Sequence, residues 1–276
     1  MRLATVRSGH TTRAVRMDSD QAIDLGFTDL GELLRADDWS GIARRATGVS
    51  ATTVGLQYAA PVARPSKVIC VGLNYRNHIL EMGREIPEFP TLFAKFSEAI
   101  IADGDQIDLD PVSHGWDWEA ELAIVIGSRA RRCNAEEAAA SIAGFSIIND
   151  ITSREYQYRT TQWLQGKTFE HTSPFGPVLV TPDELEGGVR PRMQIRCIVD
   201  GEVVQEANTG DLVFDPVSLV QYISAFLTLH PGDVIASGTP GGVGHARKPP
   251  RELHDGAEVV TEIDGIGRLT NIARKL

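Results

Sequence analysis

At 276 residues and 30.0 kDa, the chain has length for one large domain, or one medium domain with a small appendage, and for an ample core. Its formal charge of -10 and pI near 5.2 exclude nucleic acid and anionic membrane as evident partners, because both call for a basic patch; a negatively charged substrate would need a local positive site. Cys70, Cys133 and Cys197 form no C-x-x-C and suit reduced, partly buried thiols, and neither a signal-peptide segment nor a run of about 18 apolar residues occurs, so the chain reads as soluble and cytoplasmic.

Alternation over Arg2 to Arg7 and Thr12 to Val15, with a turn at Ser8-Gly9, predicts a small β meander that Gln21 to Leu25 completes. Asp29 is placed to cap a short helix ending at Arg35. Pro61 and Pro65 mark Ala59 to Ser66 as a linker, so residues 1–64 read as a small appended β/α domain and residues 65–276 as the main one. The apolar run Lys67 to Gly72 opens the main domain as a strand. It leads into a helical stretch in which His78 and Glu81, at i and i+3, share a face. A carboxylate so placed orients an imidazole and raises its basicity, which suits activation of water; an incidental ion pair on a surface helix is the plainer alternative. Lys95 is an isolated cation in the apolar stretch Thr91 to Phe96, either a solvated strand lysine or a partner for acids elsewhere.

The stretch from Asp117 to Asp150 carries the strongest signal. In D-W-E-A-E-L-A-I-V-I-G, Glu119 and Glu121 leave the same face of a strand, with alpha carbons roughly 7 Å apart. Leu122 to Ile126 is continuously apolar, as in a strand covered on both faces. Carboxylates on such a strand repel each other and lose hydration, so something positive should face them. Asp150 ends a second apolar run, Phe145 to Ile148, and supplies a third acid. Three oxygen donors without Cys or His suit a hard cation, Mg²⁺ first, with Mn²⁺ or Ca²⁺ behind it. Between the acidic strands, Asn134 to Ile142 reads as a capped scaffold helix.

After Asp150, a helical turn would put Arg154 and Gln157 on its face at i+4 and i+7. Arg154, one turn from Asp150, then either fixes that carboxylate or holds one of a substrate through paired hydrogen bonds. Gly166-Lys167-Thr168 is no phosphate loop, because the glycine that motif needs upstream is replaced by Thr161. Further on, Gln194 to Val199, Glu202 to Gln205, Glu258 to Ile263 and Gly267 to Ile272 read as strands, and Val217 to Phe226 as a helix packing Val217, Val220, Ile223 and Phe226 on the sheet. In the loop S-G-T-P-G-G-V-G, the glycines let backbone amides approach a ligand, with the Thr239 hydroxyl beside them.

Taken together, E-A-E-L-A-I-V-I-G, N-D-I-T-S-R-E-Y-Q, Q-G-K-T-F and S-G-T-P-G-G-V-G, spaced as here, resemble the fumarylacetoacetate hydrolase family over about residues 66 to 274. The resemblance implies a β-rich α+β fold, a mixed β-roll, usually as a homodimer. It implies a metal on Glu119, Glu121 and Asp150, an H-x-x-E pair at His78 and Glu81 after an N-Y segment, Lys167 facing the metal, and site roles for Arg154, Gln157 and Thr239. Such sites host hydrolysis, decarboxylation and tautomerisation of 2-oxo acids. The leading expectation is hydrolytic carbon-carbon cleavage of an acylpyruvate such as fumarylpyruvate. The metal would chelate the 2-oxo acid and its enolate, while His78, oriented by Glu81, deprotonates water and Lys167 stabilises charge or protonates the leaving carbanion. The alternatives are a decarboxylase or isomerase acting on oxaloacetate or a longer dicarboxylic 2-oxo acid such as 2-hydroxyhepta-2,4-dienedioate, and a non-catalytic β scaffold with a structural cation.

Overall fold

The apolar runs in the middle of the sequence become the centre of a mixed β-sheet. In the computed structural model, which describes residues 1–48, 51–81, 83 and 85–276 and only the backbone of Glu81, the sheet has twelve strands among the described residues. Ala120–Ile126 lies between the antiparallel Ile142–Asn149 and Val234–Ala236, and the last of these runs parallel to Val68–Gly72. Every residue of Ala120–Ile126 is buried. Alternate side chains serve two cores: Leu122, Ile124 and Ile126 face one, Ala123 and Val125 the other. Coverage on both faces explains the unbroken apolar run. Each fully buried Leu, Ile or Val contributes about 1.5–3 kcal/mol relative to exposure.

The first residues form the expected meander, Arg2–Ser8, Thr11–Asp18 and Gln21–Asp24, and Asp29 caps the helix Leu30–Leu34 by accepting from the Glu32 amide. Arg2 and Leu3 pair with Val180 and Leu179, so the meander extends the large sheet beside Ser173–Val180. A second sheet of five strands, Glu202–Asn208, Gln194–Val199, Glu258–Ile263, Gly267–Lys275 and Gln106–Leu109, packs on the first. The expected strands at 194–199 and 258–263 fall on those residues. Helix Ala135–Ser141 carries a capping box between Asn134 and Glu137. Helix Pro216–Phe226 is capped by Asp215 and buries Val217, Val220 and Ile223, but Phe226 is exposed: the apolar stripe turns away from the protein at the last residue. All three cysteines are free thiols, Cys70 and Cys197 buried and Cys133 partly so. Among the described residues no helix is long and apolar enough to cross a membrane.

Candidate active site

Two strand ends bring the acids together. Glu121 pairs in register with Ile148, and the Asp150 amide donates to the Glu119 carbonyl at 2.8 Å, which fastens the end of one strand to the start of the other. Glu119, Glu121 and Asp150 are all buried, and each offers a carboxylate oxygen within 4.8 Å of the others'. This is the all-oxygen set expected from the E-x-E spacing and Asp150.

Cations answer them. Lys167 Nζ lies 2.8 Å from Glu119 Oε2 and 2.7 Å from Asp150 Oδ2. Lys95 Nζ lies 2.9 Å from Asp150 Oδ1 and also donates to the Lys167 and Ile151 carbonyls, so of its two sequence readings the partner to the acids is the one found. Arg154 does not fix Asp150, whose oxygens are taken by Lys95 and Lys167; it reaches Glu119 at 2.7 Å and Asp117 at 2.8 Å, and donates to the Gln157 amide oxygen at 2.9 Å. Burial works against the Lys167 ammonium, but Asp150 and Glu119 outweigh it and hold the lysine protonated well above neutral pH. Burial likewise opposes ionisation of Asp150, yet Lys167 and Lys95 bring its carboxyl below the ordinary range. Glu121 goes the other way. Burial, then the charges of Asp150 and Glu119, push its carboxyl well up, with the Gly238 amide as its 2.8 Å hydrogen-bond donor. Four carboxylates, Asp117, Glu119, Glu121 and Asp150, thus share a buried region with three cations, Lys95, Arg154 and Lys167. A hard divalent cation fits that donor set, since the carboxylate surplus and the disfavoured charge on Glu121 are what such an ion relieves.

The glycine-rich loop closes one side. Gly238 has φ +100°, and a Cβ there would come 2.9 Å from both the Asn74 Cβ and the Val71 carbonyl, so only glycine brings this amide to Glu121. Thr239 donates its hydroxyl to the Ala120 carbonyl at 3.0 Å and accepts from Gln205 at 2.8 Å. The same Gln205 takes the Ala120 amide at 2.9 Å. Further along, Asp117 Oδ1 accepts from the Gly244 amide at 2.7 Å and Oδ2 from the His245 amide at 3.0 Å, while the Arg154 Nε donates to Oδ2 at 2.8 Å.

A chamber of about 340 Å³ opens over the acids, and His78, Glu119, Arg154, Gln157, Lys167 and Thr239 all line it. Glu121 and Asp150 lie buried beside Glu119. Helix Arg76–Glu81 carries His78 to the chamber; the side chain of Glu81, its expected partner, lies outside the described residues. Trp163 and Phe93 form an apolar wall, their rings 5.4 Å apart. Sequence reasoning left Asp117, Gln205 and His245 without roles. Asp117 opens the acidic stretch, but nothing local announces that amides from residues 244 and 245 converge on it.

The family described as "Fumarylacetoacetate (FAA) hydrolase C-terminal" matches residues 67–273, leaving the N-terminal strands outside. A mitochondrial oxaloacetate tautomerase of Rattus norvegicus is 42% identical over 243 residues, which cover 87% of this chain and 77% of the relative. The solved fumarylacetoacetate hydrolase of psychrophilic Exiguobacterium antarcticum superposes with a TM-score of 0.90 at 32% identity, covering 100% of both chains. That of the 2-hydroxyhepta-2,4-diene-1,7-dioate isomerase of Mycobacterium marinum does so with a TM-score of 0.80 at 32% identity, covering 100% of this chain and 98% of the other. The matched span begins at the strand leading to the chamber, ends in the last strand, and contains every acid and cation of the site; the chain belongs to the fumarylacetoacetate hydrolase family.

Proposed function

We propose that this chain tautomerises a dicarboxylic 2-oxo acid of the oxaloacetate class, interconverting its keto and enol forms. The observation that carries the reading is the buried acid set Glu119, Glu121 and Asp150 with a protonated Lys167 laid across two of its members, at the floor of a chamber sized for a small acid. Hydrolysis of an acylpyruvate was the leading expectation from sequence; relatives named as an oxaloacetate tautomerase and a dienedioate isomerase favour the isomerising alternative.

Glu119, Glu121 and Asp150 would hold Mg²⁺, which supplies Lewis acidity toward a 2-oxo acid and so favours loss of a proton from its C3. The remaining work falls to side chains. Lys167, held protonated, donates a hydrogen bond to developing negative charge and is unsuited to removing a proton. The imidazole of His78 lines the same chamber, and this side-chain type is suited to take the C3 proton and return it. Gln157, whose amide oxygen accepts from Arg154, turns its NH₂ to a substrate oxygen. Arg154 is engaged by Asp117 and Glu119, so its part is to fix Glu119, with any contact to substrate secondary. Trp163 and Phe93 keep water from the reacting carbon.

Ultraviolet detection of the enol, with Mg²⁺ and with a chelator, tests this. Expected is accelerated equilibration of oxaloacetate tautomers that stops on chelation, with neither carbon dioxide nor a new carboxylic acid formed in step. Faster conversion of an acylpyruvate into two acids would overturn the reading in favour of hydrolysis, and stoichiometric carbon dioxide in favour of decarboxylation.

A further inference from the structure

A dicarboxylic substrate has a second charged end, and most donors of the chamber are already engaged. Arg154 is paired with Asp117 and Glu119, Lys167 with Glu119 and Asp150, and the Thr239 hydroxyl donates to Ala120. His78, in the reading above, serves the reacting end. His245 and Tyr158 are different. Both line the chamber at its exposed mouth, their rings 5.2 Å apart and inclined at 38°. Neither the imidazole nor the phenol hydroxyl has a hydrogen-bond partner among the described residues. Yet the His245 backbone is fixed, because its amide donates to Asp117 at 3.0 Å, next to the Gly244 amide at 2.7 Å. The same two side chains border an adjoining cavity of about 460 Å³, which leaves room for chains longer than four carbons. Among the acids lining that cavity, Glu155 is occupied by Arg159 and the His114 amide, and Asp117 by Arg154 and the Gly244 and His245 amides.

We propose that His245 and Tyr158 form a subsite for the distal carboxylate of a dicarboxylic 2-oxo acid, an assignment that rests on the 2-oxo acid reading of the acid-lined end. An imidazole N–H and a phenol hydroxyl donate to the two oxygens of one carboxylate. On a protein of net charge -10, an acid approaching this mouth needs such a local donor. Because the pair is exposed, its contribution is screened and amounts to a preference of about tenfold.

The test compares oxaloacetate with 2-oxobutyrate, which share a four-carbon 2-oxo acid and differ in the distal carboxylate. Affinities are measured by calorimetry in the presence of Mg²⁺ for the full chain, His245→Asn and Tyr158→Phe. Expected is a preference of about tenfold for oxaloacetate in the native protein, falling to less than about threefold in His245→Asn and partly in Tyr158→Phe, with 2-oxobutyrate affinity unchanged in both. A native protein without preference, or a His245→Asn variant that keeps it, overturns the subsite. Oxalate, which fills the acid-lined end alone, serves as the second probe: equal affinity in all three proteins shows that the variants keep that end intact. If the preference behaves as expected while no tautomerisation occurs, the subsite stands and the reaction reading falls.

Discussion

Replacement of Lys95 by methionine separates the electrostatics of the cluster from its packing. The side chain is 2% exposed, and a thioether of similar length fits the same space. Its ammonium lies 2.9 Å from Asp150 Oδ1. At an effective dielectric constant of about 20, attraction across that distance is about 6 kcal/mol, and removing the desolvation penalty of the lysine returns part of it. Breaking one side of a buried pair therefore leaves a net loss of about 3–5 kcal/mol, to which the Lys167 and Ile151 carbonyls add by losing a donor. The sign of the metal effect is opposite. Without Lys95 the buried region carries one more unit of uncompensated negative charge, so Lys95→Met should bind Mg²⁺ more tightly than the native protein. Urea unfolding followed by circular dichroism, in chelator and in saturating Mg²⁺, reads both effects, since an ion bound only by the folded state adds to stability. The expected result is a large deficit in chelator that shrinks in Mg²⁺. A deficit below about 1 kcal/mol, or one of equal size in both conditions, would refute the account of Lys95 as the electrostatic partner of Asp150.

Glu121→Gln should behave in the reverse manner. Because the folded-state carboxyl is pushed up by burial and by Asp150 and Glu119, its contribution to stability is full below the ordinary glutamate range and is lost as pH rises through the elevated value. At pH 8 in chelator the variant should melt no lower than the native protein, and it should lose most of the Mg²⁺-dependent rise in Tm; retention of that rise would remove Glu121 from the ligand set. Asp183 gives a pH test remote from the site. Its carboxyl is lowered to about 2, chiefly by the Thr181 hydroxyl and then by Arg44, so its contribution is present above the ordinary aspartate range and disappears as pH falls toward 2. The side chain is half exposed, so Asp183→Asn should lower Tm at pH 7 by only about 1–3 °C and by nothing near pH 2; a deficit that ignores pH would point to packing instead.

What could be read from the sequence was whatever is encoded locally or by period. The two-residue spacing of Glu119 and Glu121 fixes their common face, the unbroken run Leu122 to Ile126 announces a strand covered on both sides, and Asp29 and Asn134 sit where caps are needed. Lys95 was ambiguous because a strand of five residues does not reveal which side chain faces inward. Gln205 was invisible: its amide joins Ala120 to Thr239 and Pro240 across 85, 34 and 35 residues of chain, and nothing in its own neighbourhood differs from an ordinary strand. Phe226 was misplaced for a related reason, since helical spacing gives the direction of a stripe and not where the covering layer ends.

Asp117 joins two walls of the chamber in one carboxylate, holding the amides of Gly244 and His245 on one side and the guanidinium of Arg154 on the other. A lineage in search of new substrates is therefore constrained in the kind of change it can accept there. Insertions or deletions in this loop would pull the amides off Asp117 and disturb Arg154, and through it Glu119, whereas exchange of the side chain at position 245 leaves the backbone junction untouched. Divergence at the mouth is cheap in sequence and divergence at the floor is not, so relatives can keep one chemistry while the rim adapts to different acids.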